Sequence, residues 1–559
     1  MGADTDLRTG TDTGTRTDLV TVSDLTVDFP VGEGRFVRAV EALSLSLPDG
    51  GALGVVGESG SGKSTVAAAL LGLHRDTGAR VSGTVRVAGT DPLTAEGAEL
   101  RRLRGGLAAM VFQDPLSALD PYYAVGDQIA EVYRVHHPDA SRRAARARAV
   151  AVLDRVGIPD AARRSRARPH EFSGGMRQRT LIAMALACEP RLLVADEPTT
   201  ALDVTVQAQI LDLLHGLRAE TGMGLLLVTH DLGVVAGSVD EVLVMKDGRA
   251  VERGPVAAVL GAPKEAYTAA LLAAVPRVEA ASAPVRTDGA VADGDEPPLL
   301  AVRALRKEFG RGRRATVAVD GVDLTLRAGE ALGVVGESGS GKTTLGRMVT
   351  GLLTPTAGEI RHGGVPAHGL RRDVQMVFQD PASSLNPRRS IGESVADPLR
   401  AAGALTDAEI RVRVRGLLAQ VGLDPEAYHR YPHEFSGGQR QRVGIARALA
   451  PEPRLLVCDE PVSALDVTTQ AQIVELLGRL RRELGLALLF IAHDLAVVRQ
   501  VSDRVAVMRR GAVVEQGPVD RVYGAPEHPY TRALLAAVPV LDPAGAAQRR
   551  AQRLESASA

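Results

Sequence analysis

A glycine-rich segment of eight residues occurs twice in the chain, as GESGSGKS at residues 57–64 and as GESGSGKT at residues 336–343. Each copy lies between an apolar run typical of a strand and a longer run typical of a helix. The pattern G-x-x-x-x-G-K-[S/T] predicts a loop whose backbone N–H groups surround phosphate oxygens, with a helix N-terminus behind them. A single copy could be a chance glycine-rich turn, but two copies predict a chain with two nucleotide sites.

Lysine usage supports this interpretation. Only five of the 66 basic residues are lysines, and two of the five are Lys63 and Lys342 in these loops. An ammonium on a flexible stem fits between the β- and γ-phosphates in a way that a planar guanidinium does not. The loop residues expected to contact nucleotide are Gly57, Ser59, Gly60, Gly62, Lys63, Ser64 and Thr65 in the first copy, and Gly336, Ser338, Gly339, Gly341, Lys342, Thr343 and Thr344 in the second.

Length and charge limit the possible classes of protein. A chain of 559 residues exceeds one compact core, and the repeat predicts two main domains. The net charge of −1 provides no overall field toward nucleic acid or anionic lipid, so we expect the local arginine clusters to be solvated helix faces and not a nucleic-acid site. The apolar runs are shorter than the roughly 18 residues that span a bilayer. The N-terminus lacks a secretion signal, which favours a cytoplasmic protein.

Landmarks in the two halves keep a constant offset of 263 residues from FSGG (residues 172–175 and 435–438) onward. Short apolar runs, such as residues 192–195 and 225–228, alternate with helical patterns and predict an α/β fold with a mainly parallel sheet. The predicted layout is a disordered leader (1–17), a first domain (18–275), a flexible linker (276–298), a second domain (299–540) and a disordered tail (541–559).

Six motifs follow in the same order in each half. The first half has the glycine-rich loop, Gln113, Ser173-Gly174-Gly175, Asp196-Glu197, Ala201-Leu202-Asp203 and His230. The second has its loop, Gln379, Ser436-Gly437-Gly438, Asp459-Glu460, Ala464-Leu465-Asp466 and His493. At these residues the chain resembles the ATP-binding cassette (ABC) family. The resemblance implies two tandem P-loop NTPase domains, each with a mainly parallel sheet core, an antiparallel β subdomain and a helical subdomain.

The resemblance implies ATP hydrolysis with Mg²⁺. The metal ligands would be Ser64, Gln113 and Asp196 in one site and Thr343, Gln379 and Asp459 in the other. Glu197 and Glu460 would polarise the attacking water, and His230 and His493 would fix its position near the γ-phosphate. A lone aspartate at a strand end is more often a turn or helix cap, and a lone histidine is as often a core residue. Because these aspartates and histidines occur within the ordered set of six motifs, a functional role is favoured for them.

The SGG motifs precede helices, where backbone N–H groups can approach a phosphate closely. By resemblance, the cassettes pair head to tail within one chain, so that Ser436 caps the nucleotide of Lys63 and Ser173 caps that of Lys342. Asp203, Asp466 and Gln439 complete this set of nucleotide-binding residues. The first motif departs from the family pattern at Met176, where the second has Gln439. For adenine stacking we predict Phe29 and Phe309, with Phe36 as a rival.

The closer resemblance is to the oligopeptide and dipeptide importer ATPases. It is carried by VFQDPLSALDPYYAVGDQI, by HEFSGGMRQR and HEFSGGQRQR, and by the tails YTAALLAAVP and HPYTRALLAAVP. It implies two transmembrane permease subunits and an extracytoplasmic substrate-binding protein as partners, with this chain peripheral to the cytoplasmic face of the membrane. Peptide, glutathione-like, nickel-chelate and sugar cargoes stay open. The alternative is a soluble tandem cassette that acts on ribosomes. The cysteine cluster found in many members is missing from the sequence, so no iron–sulfur site is predicted.

Overall fold

The computed structural model describes residues 18–32, 34–200, 202–278, 297–310, 315–367, 369–380, 384–463 and 465–558. The predicted leader, residues 279–296 of the predicted linker, Ala201 and Ala464 lie outside this part of the chain. The described residues form two compact units. The first contains the described residues up to Pro198 together with Leu213–Thr229 and Ser238–Val259, and the second contains Thr199–Asp212, His230–Gly237 and the residues from Leu260 onward.

The first unit is built on a six-stranded sheet with the order β5-β6-β7-β3-β8-β9, in which β9 alone is antiparallel to its neighbour. A separate antiparallel sheet has the order β2-β1-β4. The strands are β1 (Asp18–Pro30), β2 (Phe36–Pro48), β3 (Ala52–Val56), β4 (Arg80–Val87), β5 (Ala108–Val111), β6 (Leu192–Asp196), β7 (Gly224–Thr229), β8 (Glu241–Lys246) and β9 (Arg249–Pro255). The two apolar runs predicted as strands are confirmed as β6 and β7.

The second unit repeats this plan. Its six-stranded sheet has the order β15-β16-β17-β12-β18-β19 and its antiparallel sheet the order β11-β10-β13-β14. The strands are β10 (Leu300–Phe309), β11 (Thr316–Leu326), β12 (Ala331–Val335), β13 (Ala357–His362), β14 (Val365–Pro366), β15 (Val374–Val377), β16 (Leu455–Asp459), β17 (Ala487–Ile491), β18 (Arg504–Arg509) and β19 (Ala512–Pro518).

Helices connect the strands. In the first half they are α1 (Lys63–Ala69), α2 (Gly97–Leu103), α3 (Pro115–Ala118), α4 (Val125–His136), α5 (Arg142–Arg155), α6 (Ala161–Arg164), α7 (Gly174–Leu186), α8 (Val204–Thr221), α9 (Leu232–Ser238), α10 (Val256–Gly261) and α11 (Ala266–Ala274). In the second half they are α12 (Lys342–Val349), α13 (Ile391–Ala402), α14 (Asp407–Gln420), α15 (Gly437–Leu449), α16 (Val467–Leu484), α17 (Leu495–Val501), α18 (Val519–Gly524), α19 (Pro529–Ala537) and α20 (Pro543–Ser558). Within the described residues, no helix combines the length and the apolar character that crossing a membrane requires.

The central strands are buried on both faces, as their apolar sequences require. In the second unit, Leu332 and Val334 of β12 pack toward residues of the antiparallel sheet. Their neighbours Ala331 and Val335 pack on the opposite face, against helical residues such as Val497 and Val498. Both faces of β12 are therefore covered, and in the sheet it lies between β17 and β18. The loop that follows β12 emerges at the carboxyl edge of the sheet, where parallel sheets bind ligands.

The predicted disorder of the tail (541–559) is wrong over most of its length, because Pro543–Ser558 is a helix. Its sequence is rich in alanine, glutamine and arginine, which are good helix formers. Asp542 accepts hydrogen bonds from the backbone N–H groups of Ala544 (3.2 Å) and Gly545 (2.9 Å), so the helix has a capped start. The polar composition that suggested disorder instead supplies arginines that make contacts within the second unit.

Candidate active sites

Each glycine-rich loop follows the central strand of its sheet, and two of its glycines have positions that other residues could not occupy. Gly336 has φ +151° and a Cβ there would lie 2.1 Å from the Met508 carbonyl oxygen. Gly341 has φ +103° and a Cβ there would lie 2.3 Å from the Ala318 carbonyl oxygen. The first loop repeats this geometry at Gly57 and Gly62, with 2.2 and 2.4 Å to the equivalent carbonyls. The loop backbone is therefore pressed against its own sheet, with the next helix beginning at the lysine.

The two loop lysines are buried and lie inside their loops. The Lys342 ammonium donates to the carbonyls of Gly336 (2.7 Å) and Glu337 (2.9 Å). The Lys63 ammonium donates to the carbonyls of Gly57 (2.9 Å) and Glu58 (2.7 Å). Burial lowers the pKa of Lys342, although nearby carboxylates, Glu460 first among them, oppose the shift. Each site thus holds a buried positive charge at the loop that is predicted to bind phosphate.

A hydroxyl and a carboxylate meet beside each lysine. Ser64 Oγ donates to Asp196 Oδ1 at 2.9 Å, and Thr343 Oγ1 donates to Asp459 Oδ1 at 2.9 Å. Asp196 is the last residue of β6 and Asp459 is the last residue of β16. One strand separates each of these from β3 or β12, the strand that precedes the glycine-rich loop. Only 6% of Asp196 and 3% of Asp459 is exposed. Burial raises the pKa of both carboxyl groups, and the hydroxyl hydrogen bonds counteract it. Hydroxyl and carboxylate oxygens are the donors that Mg²⁺ prefers, so these residues fit the predicted metal.

The residue after each aspartate is the predicted catalytic glutamate. Gln379 Nε2 donates to Glu460 Oε2 at 2.9 Å, and Gln113 Nε2 donates to Glu197 Oε2 at 2.8 Å. The structure therefore brings together the loop, aspartate, glutamate and glutamine motifs that are widely separated in sequence. Gln379 and Glu460 are 81 residues apart in the sequence, and Gln113 and Glu197 are 84 residues apart.

The two predicted histidines come after strands that pair with the strands preceding the glycine-rich loops. His230 follows β7, which pairs with β3, and His493 follows β17, which pairs with β12. His493 Nδ1 lies 3.3 Å from Glu460 Oε2. Burial would raise the pKa of Glu460, but the hydrogen bond and charge of His493 outweigh it, so the net shift is downward. This pair keeps Glu460 ionised, as a base requires. His230 directly follows β7 and is half-buried.

The SGG motifs begin helices. Ser173 and Ser436 are exposed N-cap residues of α7 and α15, and their hydroxyls accept hydrogen bonds from the N–H groups of Met176 (3.4 Å) and Gln439 (3.3 Å). Gly174 and Gly437 are the first helical residues, followed by Gly175 and Gly438. A Cβ at Gly438 would lie 2.2 Å from Thr469 Cγ2, so this glycine permits the close packing of α15 on α16.

Asp203 and Asp466 occupy the starts of α8 and α16. Asp466 Oδ1 accepts from the Thr469 N–H at 2.9 Å, and Asp203 Oδ1 accepts from the Val206 N–H at 3.0 Å. Within the second unit, the other carboxylate oxygen of Asp203 accepts from the Ser338 N–H at 3.4 Å. Asp203 therefore contacts the second glycine-rich loop directly.

The predicted adenine contacts differ in their surroundings. The Phe29 ring packs edge-on against His74, with 5.3 Å between the centroids, and Phe309 is exposed beneath Lys307. The rival Phe36 begins β2, the strand whose Ala39 carbonyl touches Gly62, and the Arg80 guanidinium lies 3.8 Å from its ring centroid. The assignment of the adenine-stacking residue stays a prediction.

Sequence reasoning missed one residue at the second loop. The Tyr530 hydroxyl accepts a hydrogen bond from the Glu337 N–H at 3.0 Å, across 193 residues of chain. A signal was present, since Tyr530 belongs to the repeated tail pattern and has a counterpart, Tyr267, at the constant offset of 263 residues.

A family model described as "ABC transporter" matches the chain twice, at residues 40–200 and 319–463. The chain belongs to the ABC transporter family. It is an ABC-type ATPase coupled to transport, and the predicted fold of two tandem ABC cassettes is confirmed. A second model, described as "Oligopeptide/dipeptide transporter, C-terminal region", matches residues 251–298 and 514–559. The chain is therefore an ABC protein of the oligopeptide and dipeptide transporter type, as the tail motifs predicted.

Several relatives of this ABC protein match along almost its full length. A glutathione import ATP-binding protein GsiA from Escherichia coli O6:H1 is 46% identical over 96% of this chain and 92% of its own. The GsiA of Salmonella typhimurium is 47% identical over 95% and 91%. Among solved structures, the dimeric post-hydrolysis ATP-binding cassette MJ0796 with ADP and Pi is 31% identical, covers 39% of this chain and 98% of its own, and has a TM-score of 0.37.

Proposed function

We propose that this ABC protein is the ATP-hydrolysing subunit of an importer for glutathione or a similarly small peptide. The observation that carries the proposal is the similarity to glutathione import ATP-binding proteins, which extends over both cassettes at 46–47% identity. The match of both tails to the oligopeptide and dipeptide transporter region supports a peptide cargo independently. These matches favour an importer over the ribosome-associated alternative.

We assign the chemistry to the residues that each cassette brings together. Ser64 with Asp196, and Thr343 with Asp459, would hold Mg²⁺. The bound ion would offset the negative charge of the β- and γ-phosphates. Lys63 and Lys342 bind the same phosphates from the loop side.

The glutamates act on water in this assignment. Glu460 accepts the proton of the attacking water as a general base, and Glu197 does so in the first cassette. Gln379 and His493 both lie within hydrogen-bond distance of Glu460 Oε2, and this fixes the orientation of the carboxylate. The remaining oxygen, Oε1, is the one we assign to water.

We further propose that Ser173 and Ser436 each take part in binding a nucleotide phosphate. The exposed positions of both serines at helix N-termini support this role, because such a terminus attracts a phosphate. Within the second unit, the hydrogen bond from the Ser338 N–H to Asp203 supports a nucleotide-binding role for Asp203, because it places this carboxylate at the second loop.

The partners in this proposal are two permease subunits and an extracytoplasmic binding protein, with this chain at the cytoplasmic face of the membrane. Candidate residues for contact with a permease occur close to Gln113 in the sequence, where Phe112, Tyr122 and Tyr123 are 44%, 80% and 63% exposed. Exposed aromatic residues are typical of protein interfaces.

The test is to isolate the membrane complex and measure ATP hydrolysis in vesicles with the binding protein and one ligand at a time. We expect glutathione to stimulate hydrolysis more than a dipeptide, a sugar or a nickel chelate. The same complex carrying Glu460→Gln is the control that attributes the stimulated hydrolysis to this chain. Stimulation by a sugar alone would overturn the peptide assignment, and recovery of the chain with ribosomes and without a permease would overturn the importer.

A further inference from the structure

The segment that carries Tyr530 is held rigidly on the second sheet. The Glu515 carboxylate on β19 accepts hydrogen bonds from the N–H groups of Glu527 (2.8 Å) and His528 (3.0 Å), one to each oxygen. His528 then caps α19, because its Nδ1 accepts from the Tyr530 N–H at 3.1 Å. The turn before the helix is thus fixed by three hydrogen bonds, and Tyr530 has a defined position in its first turn.

The Tyr530 side chain is buried between the glycine-rich loop and the end of β18. Only 6% of the residue is exposed, and the Arg509 guanidinium lies 4.8 Å from the ring centroid. Arg509 follows Met508, whose carbonyl is the one pressed against Gly336. Burial raises the pKa of Tyr530 to about 12, so its phenol stays neutral at physiological pH.

The hydroxyl of Tyr530 binds the N–H of the peptide group that joins Gly336 to Glu337, and the carbonyl of the same peptide group, that of Gly336, accepts from the Lys342 ammonium at 2.7 Å. Glu337 donates its N–H to this hydroxyl at 3.0 Å, while its carbonyl accepts from the Lys342 ammonium at 2.9 Å and from the Ser340 N–H at 3.2 Å. The residue is therefore held at both of its backbone polar groups. Loss of the hydroxyl would release the N–H side of the Gly336–Glu337 peptide group and allow the Gly336 carbonyl, which also holds Lys342, to rotate.

We propose that Tyr530 is a positioning residue of the second ATP site and that, through its hydroxyl, the C-terminal segment sets the affinity of this site for ATP. The inference goes beyond the choice of cargo and of partner. It rests only on the assignment of residues 336–343 as a phosphate-binding loop. It also gives a role to the tyrosine of the pattern HPYTRALLAAVP, which the ATPase motifs leave unexplained.

The test is Tyr530→Phe in the full chain, because this change removes the hydroxyl and keeps the ring against Arg509. Tyr523→Phe is a closely matched control. Tyr523 is 8% exposed, its hydroxyl donates to the Leu495 carbonyl at 2.8 Å, and the Arg499 guanidinium lies 5.5 Å from its ring centroid. Both variants lose one hydroxyl hydrogen bond in the same unit, but only Tyr530 contacts the loop.

Binding of Mg-ATP is measured in a chain with Lys63→Ala, so that the second loop dominates the signal. We expect Tyr530→Phe to raise the Kd about fivefold, the scale of one neutral hydrogen bond, and Tyr523→Phe to leave it unchanged. In the chain with both loops intact, KM for ATP should rise while kcat at saturating ATP stays within about twofold. Melting temperatures of both variants show how much each hydroxyl contributes to folding.

An unchanged Kd for Tyr530→Phe would overturn the proposal, as would an equal rise in Kd for Tyr523→Phe. A lower melting temperature with unchanged Kd would assign Tyr530 a purely structural role and overturn it too. The loop assignment is checked separately with Lys63→Ala combined with Lys342→Ala. Persistent ATP binding in that variant would contradict the site itself, whatever Tyr530 does.

Discussion

Glu197 and Glu460 share an unusual backbone conformation, with φ of +47° and +46°. A glutamate in this left-handed region is strained by roughly 1–3 kcal/mol, and strain of this kind persists only where the surroundings impose it. Here the N–H groups of the two residues donate to the carbonyls of Val228 (2.8 Å) and Ile491 (2.9 Å) on the adjacent strands. Each of these two carboxylates accepts a hydrogen bond from its glutamine partner, so the strain is located where the proposed chemistry takes place.

We predict that Glu460→Gln and Glu197→Gln each lower ATP turnover by about 10²–10³-fold while ATP stays bound. An amide cannot accept the proton of water, but its shape preserves the hydrogen bond geometry around it. Turnover and retained nucleotide are measured on the purified chain. Glu475→Gln, an exposed glutamate of α16, is the control and should hydrolyse ATP at the parent rate. Hydrolysis at that rate by Glu460→Gln would refute the base assignment.

For individual residues, the sequence predicted which side chains of each site lie together, because the residue types of each motif indicate its chemistry. The pairs Ser64–Asp196 and Thr343–Asp459 are found within 2.9 Å of each other. It could not predict Tyr530, since a tyrosine at the start of a helix has no chemical signature and its partner is 193 residues away. The strained glutamate backbone was equally invisible, because only strand pairing imposes it.

The two helices that follow the SGG motifs differ at their first turn. In α15, Gln439 Oε1 accepts from the Ser436 N–H at 2.9 Å and completes a capping box. In α7 the equivalent residue is Met176, whose sulfur instead accepts from Arg164 Nη1 at 3.7 Å. A thioether is a weak acceptor, so the start of α7 is held less firmly than that of α15.

We predict that Met176→Gln stabilises the start of α7 by about 0.5 kcal/mol and that Gln439→Met destabilises α15 by a similar amount. Hydrogen exchange of the backbone amides is the direct measurement. In the parent chain the amides at the start of α7 should exchange faster than those of α15, and Met176→Gln should remove the difference. Faster exchange at α15 in the parent chain would contradict the capping argument.

The elements themselves were predictable to different degrees. The strands β6 and β7 follow from their apolar runs, which are buried along their full length. The helix α20 was not predicted, because its pattern is polar and its stabilising partners lie elsewhere in the chain. Its Arg553 guanidinium donates from two nitrogens to the two carboxylate oxygens of Asp212, at 3.1 and 2.8 Å, across 341 residues. Local periodicity carries no information about such a contact.

At the scale of the whole chain, α20 joins distant parts of the second unit. A Cβ at Gly237 would lie 3.1 Å from the Ala546 side chain, and one at Gly233 would lie 2.9 Å from Pro539. These two glycines therefore allow α9 and the C-terminal segment to approach closely. Arg550 adds a hydrogen bond of 3.4 Å to the Gly237 carbonyl. The C-terminal residues are thus part of the folded unit and not an appendage.

We predict that Arg553 and Asp212 are energetically coupled by about 1–3 kcal/mol, because their side chains are only 24% and 15% exposed and the pair is bidentate. The measurement is a double-mutant cycle of Arg553→Ala and Asp212→Ala by denaturant unfolding of the full chain. Arg521 and Glu527 form a control pair in the same unit, with 64% and 70% of their side chains exposed. Solvent screening should keep the coupling of that pair below about 0.5 kcal/mol. Equal coupling energies in the two cycles would mean that Arg553 and Asp212 form only a surface ion pair. In that case, removal of the residues after 541 would leave the free energy of unfolding of the second unit unchanged.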